Sequence, residues 1–408
     1  MLLAKSNGRV FPKEDKIFAL SGRAKAMEKE VGKDNVINAT IGSLMDDDGR
    51  LVVLSSVMDA IRQLGPDDFA AYAPIGGTPG FREAVKRAAF GKYKPERSVE
   101  VCAAPGGTGT IRNSVSNYTA VGDTVLTASW FWPTYTKICN EIGRSLDTYE
   151  MFADVGSYNL AGLEEKVKSL VGSQGSCLAI INTPAHNPTG YCLSNEEWRD
   201  VVRIFNEAVS GGGTGTIFVD AAYIDFAGDP EEYREFLKEF ERLDENVMVI
   251  IGYSASKTFT LYGMRTGAAI CMAATDEQAE EFRTVMEYSS RATWSNCVRT
   301  GQAVIEKIYA DDVLLDKVTS ERAKYRSMLI KRGRVFEEAA QSAGLDCVPF
   351  DSGFFTCVEC DDPDAVSAEL EKKGDFVVPF AKGIRISIAA VSEAKCVKIA
   401  GDIADVMK

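Results

Sequence analysis

One lysine carries more chemistry in its surroundings than any other residue of this chain. Lys257 ends the run Ser254-Ala255-Ser256-Lys257, and Arg265 stands a short way beyond it. The apolar stretch Val247-Met248-Val249-Ile250-Ile251 just before reads as a buried strand. A lysine handed from a strand end into a partly desolvated loop loses preference for its charged form, which makes the amine a nucleophile. Ser254 and Arg265 add a hydroxyl donor and a bidentate cation, a pair suited to a phosphate. An amine and a phosphate site on one short loop are what pyridoxal 5′-phosphate requires. The same spacing also describes a solvated loop lysine, so the other motifs decide.

Three further segments set polar groups after predicted strands. Val99–Ala103 leads into Pro105-Gly106-Gly107-Thr108-Gly109-Thr110 and a predicted helix through Tyr118. Glycines ahead of a helix let backbone N–H groups approach an anion, and Thr108 adds a hydroxyl. A glycine turn that merely caps a helix looks the same. No Gly-Lys-Ser/Thr follows, so this is not a nucleotide P-loop. After Cys177–Ile181 comes Asn182-Thr183-Pro184-Ala185-His186-Asn187-Pro188-Thr189-Gly190, whose two X-Pro steps force extended or turn geometry and project the Asn187 amide. His186 is the only histidine, which excludes a histidine-rich metal cluster and any mechanism needing two. It is as suited to orienting neighbours as to carrying protons. Phe218-Val219-Asp220-Ala221-Ala222-Tyr223 puts a carboxylate at a buried strand end and a phenol three residues later. A desolvated carboxylate needs a cation or donor, which a protonated pyridine nitrogen supplies. The plain alternative is a helix N-cap. Cys357 and Cys360 have C-x-x-C spacing, yet no second pair or nearby histidine accompanies them, so ordinary core thiols are expected and no metal.

The elements that must position these groups alternate. Short β-rich runs, among them Thr124–Thr127, Thr216–Asp220 and Gly267–Cys271, are separated by longer helical segments. Such alternation implies βαβ units and a mostly parallel sheet covered on both faces. Ligands of such sheets sit at the carboxyl ends of strands, so Asp220, Lys257 and the glycine turn should converge. From about Asp316 a charged amphipathic helix and strands near Phe354 and Ile384–Ile388 suggest a second, α+β lobe. Two lobes also suit 408 residues, and 45% hydrophobic with 26% charged residues is ordinary for a globular core. A net charge of −13 argues against nucleic acid or an anionic membrane as partner. Residues Met1–Asn7 lack a signal-like apolar region, no stretch approaches membrane-spanning length, and ten cysteines suggest reduced thiols in a cytoplasm.

Taken in order, the motifs resemble class I aminotransferases of the aspartate aminotransferase family, fold type I of the pyridoxal-phosphate enzymes. They are Asn38-Ala39-Thr40-Ile41-Gly42 with Asp46–Gly49, Tyr72–Gly77, Pro105–Gly109, Trp132-Pro133, His186–Gly190, Asp220–Tyr223, Ser254–Lys257 with Arg265, Arg291–Asn296 and Arg385-Ile386-Ser387-Ile388. The resemblance implies an α/β fold: a large domain with a mostly parallel seven-stranded sheet flanked by helices, and a smaller α+β domain. Residues 49–315 would form the large cofactor-binding domain, and 1–48 with 316–408 the N-terminal arm and small domain. It implies that Lys257 bonds pyridoxal 5′-phosphate covalently and then shuttles a proton, while Asp220 holds the pyridine nitrogen protonated. Tyr223 and Asn187 would donate to the ring 3′-oxygen and Trp132 would stack on the ring. Gly107, Thr108, Ser254 and Arg265 would form the phosphate cup, with Tyr72 reaching the phosphate from the neighbouring subunit. Arg385 would clamp the substrate α-carboxylate beside Gly42 and under Ile41. Arg291 would enter from the other subunit and pair with a distal carboxylate.

The expected protein is therefore a cytoplasmic homodimer with shared active sites. It would exchange an amino group between an L-amino acid, aspartate first, and a 2-oxo acid such as 2-oxoglutarate by a ping-pong mechanism. An aromatic amino acid aminotransferase is the second reading, and a β-eliminating lyase on the same fold a third. A cofactor-binding regulator usually adds a basic DNA-binding module, for which this acidic chain has no room. The chain also departs from the family pattern. Tyr135 stands where aspartate aminotransferases have histidine, so the network behind Asp220 must differ. Thr258–Met264 differs in detail, and Cys297-Val298 replaces paired prolines after Asn296.

Overall fold

The computed structural model describes residues 15–153 and 156–408, so the reading of Met1–Asn7 falls outside the described residues. Seven strands form the main sheet: β1 (Ser98–Ala104), β2 (Thr124–Ala128), β3 (Ser145–Tyr149), β4 (Ser176–Asn182), β5 (Thr214–Asp220), β6 (Val247–Ser254) and β7 (Gly267–Ala273). Their spatial order is β1-β7-β6-β5-β4-β2-β3. Only β7 runs antiparallel to its neighbours, β1 and β6. The other pairings are parallel. Every residue of β6 and β7 is buried, which explains their unbroken apolar runs: both faces are covered by helices. Six of the seven strands follow from the apolar runs. The exception is β3, an edge strand of sequence SLDTY with only Tyr149 buried, whose polar alternation carries no core signal.

A second layer lies beside the carboxyl ends of the strands. β8 (Phe355–Glu359), β9 (Val378–Phe380) and β10 (Gly383–Ser387) form an antiparallel sheet in the order β9-β10-β8. It shares an apolar core with the helix Glu393–Val406 and one end of the long helix Asp312–Ser342. That long helix runs through the expected boundary at 315/316. The helix Lys16–Val31, here α1, packs Leu20 and Ala24 against Val36 and Phe376. A short parallel pairing of Ile37-Asn38 with Asp375-Phe376 then joins the segment after α1 to the C-terminal layer.

Candidate active site

Strand register assembles the site. Asn182, Asp220 and Gly252 lie side by side at the carboxyl ends of β4, β5 and β6. One step further, Ser254 pairs with Gly267 at the start of the antiparallel β7, and Gly267 pairs with Ala104. Gly267 has to be glycine: a Cβ there would lie 2.6 Å from the Tyr253 carbonyl oxygen and 2.8 Å from the Gly106 backbone. Above these strand ends opens a cavity of about 420 Å³.

One end of the cavity is built for an anion. The helix Gly106–Tyr118, here α2, starts at the wall with no side chain capping its first amides, which therefore remain as donors. Gly107, Thr108, Ser254, Ser256 and Arg265 line the same end. Gly106 has φ +72°, and a Cβ on it would lie 2.6 Å from the Arg265 guanidinium, so the turn and the arginine press together. Arg265 is itself in the left-handed region, at φ 51°, and donates to Ser256 Oγ (3.1 Å) and the Tyr262 carbonyl (2.9 Å). The expected cup residues thus share one wall.

Lys257 faces the middle. It was expected on a loop; β6 instead runs on to Ser254, and Lys257 sits in the single helical turn Ala255–Thr258. The turn is fixed because the Ala255 N–H donates to the Thr266 carbonyl and the Thr258 hydroxyl to buried Asp225. The Lys257 amine donates to the Gly42 carbonyl (2.9 Å) and lies 4.7 Å from the Tyr262 ring centre and 5.5 Å from that of Tyr223. Burial, with Arg265 and Arg385 adding repulsion, pushes it down to about 7, although Asp220 pulls the other way. The amine is thus partly neutral near pH 7.

Asp220 is buried opposite. It is no helix cap: the 3₁₀ turn that follows starts only at Ile224. Its Oδ2 accepts from the Tyr135 hydroxyl (2.6 Å) and its Oδ1 from the Ala222 N–H (3.3 Å). Burial raises its carboxyl above the ordinary value, while Tyr135, the Ala222 N–H and Lys257 pull it down. Asn182 fastens the rim: its side-chain amide donates to the Asp220 carbonyl (2.7 Å) and its Oδ1 accepts the Asn187 N–H (2.5 Å). Asn187, Tyr223 and Trp132 complete the wall.

Arg385 closes the other end from β10. Its guanidinium lies 4.3 Å from the Phe355 ring centre and 5.5 Å from that of Phe380. It donates to the Thr40 carbonyl (2.7 Å) and Asn187 Oδ1 (3.3 Å), and its Nε has no partner among the described residues. Burial lowers it to about 10. A buried cation without a carboxylate is costly, and a bound carboxylate would relieve it. Ile41 and Gly42 line the cavity beside it, and a Cβ at Gly42 would lie 2.7 Å from the Phe355 ring.

Two expected residues lie elsewhere in this chain. Tyr72 and Arg291 are exposed and do not line the cavity. Arg291 lies in the last turn of the helix Asp276–Thr293, and the segment after it adjoins that of Tyr72: the Asn296 amide donates to the Ala73 carbonyl (2.8 Å), and Arg291 donates to Ser295 Oγ (2.6 Å). His186 is buried against Thr189 (2.8 Å) and lowered to about 3 by burial, so it stays neutral and braces the Asn187 turn. Cys357 is a buried thiol directed at the Pro188 carbonyl. The sequence carried no signal for Asn182, Tyr262 or Phe355 as wall residues. Nor did it for Asp15, Ile17 and Phe18, which bring the start of α1 to the cavity mouth.

These groups fit pyridoxal 5′-phosphate. An uncapped helix start with an arginine suits its phosphate, a lysine of lowered basicity its aldehyde, and a buried carboxylate its ring nitrogen. The sequence pattern of the family described as aminotransferase class I and II matches residues 34–403. The chain belongs to that family. This aminotransferase is 28% identical to the aspartate aminotransferase of Escherichia coli (strain K12) over 81% of its own length and 82% of that protein's. It is 25% identical to the aromatic-amino-acid aminotransferase of Paracoccus denitrificans, with 93% and 94% covered. Its structure superposes on that of an aminotransferase from Anaerococcus prevotii with a TM-score of 0.97, at 34% identity and full coverage of both chains. The fold is also that of the Burkholderia pseudomallei aromatic-amino-acid aminotransferase covalently bound to pyridoxal phosphate, with TM-score 0.82 and 22% identity over the full length of both chains.

Proposed function

We propose that this aminotransferase moves an amino group from an L-amino acid to a 2-oxo acid, with aspartate and 2-oxoglutarate as first substrates, and that the cavity residues divide the work as follows. Lys257 would hold the cofactor and then serve as the base at Cα; its buried amine, set in one cavity with Asp220, Arg265 and Arg385 and lowered to about 7, carries the reading. Gly107, Thr108, Ser254 and Arg265 hold the phosphate. Pyridoxal phosphate, when bound, supplies the aldehyde that takes up amino groups and a protonated ring that draws electrons from Cα. Asp220 keeps that ring nitrogen protonated, Tyr223 and Asn187 hold the ring oxygen, and Trp132 covers the ring face. Arg385 grips the α-carboxylate and so sets the Cα–H direction, while Ile41 and Gly42 limit the space around it.

Tyr72 and Arg291 are proposed to reach the site of a second copy in a homodimer, where Arg291 would meet a distal carboxylate. Their exposure beside Phe69 and Val298, both apolar and exposed, supports an unfilled contact face. An aromatic substrate is the second reading, favoured by Ile17, Phe18 and Trp132 in the cavity lining. Residues 49–315 are proposed as the cofactor lobe, 1–48 with 316–408 as its partner lobe, and the cytoplasm as the compartment. Among the described residues no helix is long and apolar enough to cross a membrane. The test is to reduce the purified protein with borohydride and map the fixed cofactor, then to treat unreduced protein with single amino acids. Label on Lys257 and loss of the cofactor's yellow absorbance with aspartate or glutamate are expected. Label on another lysine, or no response to any amino acid, would overturn the reading.

A further inference from the structure

The phenol behind Asp220 has no role in the assignments above. Tyr135 follows Trp132-Pro133 at the start of the helix Thr134–Glu141, here α3, and its N–H is tied to the Trp132 carbonyl (2.9 Å). Its ring is fully buried, stacked on Phe131 (6.4 Å, 12°) and set edge-on to Trp132 (5.8 Å, 86°). Nothing lets the ring turn away, so its hydroxyl is delivered to Asp220 Oδ2 at 2.6 Å across 85 residues of sequence. Burial and the neighbouring carboxylate push the phenol well above its ordinary value, so Tyr135 stays neutral and donates. An imidazole could take up a proton and become a cation behind the carboxylate; a phenol cannot.

We propose that Tyr135 is a positioning residue whose single hydrogen bond lowers the proton affinity of Asp220, so that the proton shared with a cofactor ring nitrogen stays on the nitrogen. The inference rests on the functional reading above, in that Asp220 faces the ring. Its logic is a competition for one proton. A buried carboxylate stripped of donors becomes a stronger base than one that accepts them. Asp220 has one neutral donor on each oxygen, from Tyr135 and Ala222. Deleting the Tyr135 hydroxyl leaves Oδ2 buried without its donor. The proton then moves from nitrogen to carboxylate, and the ring, now neutral, draws electrons less strongly from Cα. No atom is displaced in this change; Phe fills the same space and keeps both ring contacts.

The experiment loads wild type, Tyr135→Phe, and protein with 3-fluorotyrosine at position 135 with pyridoxal phosphate labelled with ¹⁵N in the ring. The ¹⁵N resonance and the cofactor dissociation constant are read for each, beside kcat. Wild type should show a protonated nitrogen. The Phe variant should shift toward the neutral position, with kcat lower by about tenfold to a hundredfold, the span of one hydrogen bond to a charged group. The fluorinated phenol, a stronger donor, should hold the resonance at or beyond the wild-type position. A side chain that only fills space would weaken binding without moving the resonance in this order. If wild type binds the cofactor but Tyr135→Phe keeps its ¹⁵N resonance, the proposal is wrong while the function stands. If wild type takes up no cofactor, the functional reading fails and the proposal with it.

Discussion

Arg385 offers the sharpest quantitative test of the site. Its guanidinium is buried, has no carboxylate partner among the described residues, and leaves Nε unbonded. A substrate α-carboxylate would complete it through two parallel charge-assisted hydrogen bonds. Each is worth roughly 1.5–3 kcal/mol, so the pair contributes roughly 3–6 kcal/mol, about 10²–10⁴-fold in kcat/KM. Arg385→Leu should lose that whole factor. Arg385→Lys keeps a charge but not the fork, and should recover only part of it. A second effect runs alongside, because Arg385 also donates to the Thr40 carbonyl and Asn187 Oδ1, and either change leaves these acceptors bare. To separate the two, kcat/KM is measured for an amino acid and for the amine of the same side chain lacking the α-carboxylate. The amine should react slowly and at nearly equal rates with wild type and Arg385→Leu, whereas the amino acid should lose the full factor. Equal losses for both compounds would refute the clamp, and would mean that Arg385 only holds the wall formed by Thr40 and Asn187.

Two further outcomes follow from charge. Burial, Arg265 and Arg385 lower Lys257 to about 7, so its amine is protonated below that pH and free to form a bond above it. Capture of pyridoxal phosphate by cofactor-free protein, assayed by borohydride fixation, should therefore rise through about pH 7 and level off. A rate that keeps climbing toward 10.5, the ordinary lysine value, would show the amine is not perturbed. Arg291→Ala should cut kcat/KM for aspartate and glutamate at least about tenfold while sparing an aromatic amino acid, since only one charge-assisted pair is lost. Equal losses on all substrates would remove Arg291 from substrate selection.

Much of the fold was legible because local pattern carries period. β6 and β7 read as buried strands from unbroken apolar runs, and α2 from the glycine turn before it. The convergence of Asp220, Lys257 and the glycine turn followed from one general property of parallel sheets, namely that strand carboxyl ends share an edge. Edge strand β3 escaped because half-exposed strands alternate too weakly to stand out from loops. The helical turn that carries Lys257 escaped as well, because it is held by Thr266 and Asp225, distant partners with no local signature.

The residue types and their chemistry were therefore written in the sequence, while their pairing was not. That Asp220 accepts from Tyr135 depends on which strands are neighbours and on where α3 lies across them. Likewise Arg385 sits between Phe355 and Phe380 and reaches Thr40 only because β10 pairs with β8 and with β9 beside the start of the chain. The lowered basicity of Lys257 is the extreme case. It arises from the exclusion of water, with repulsion from Arg265 close by in the chain and from Arg385 brought in on β10, and the burial exists only once every layer has packed.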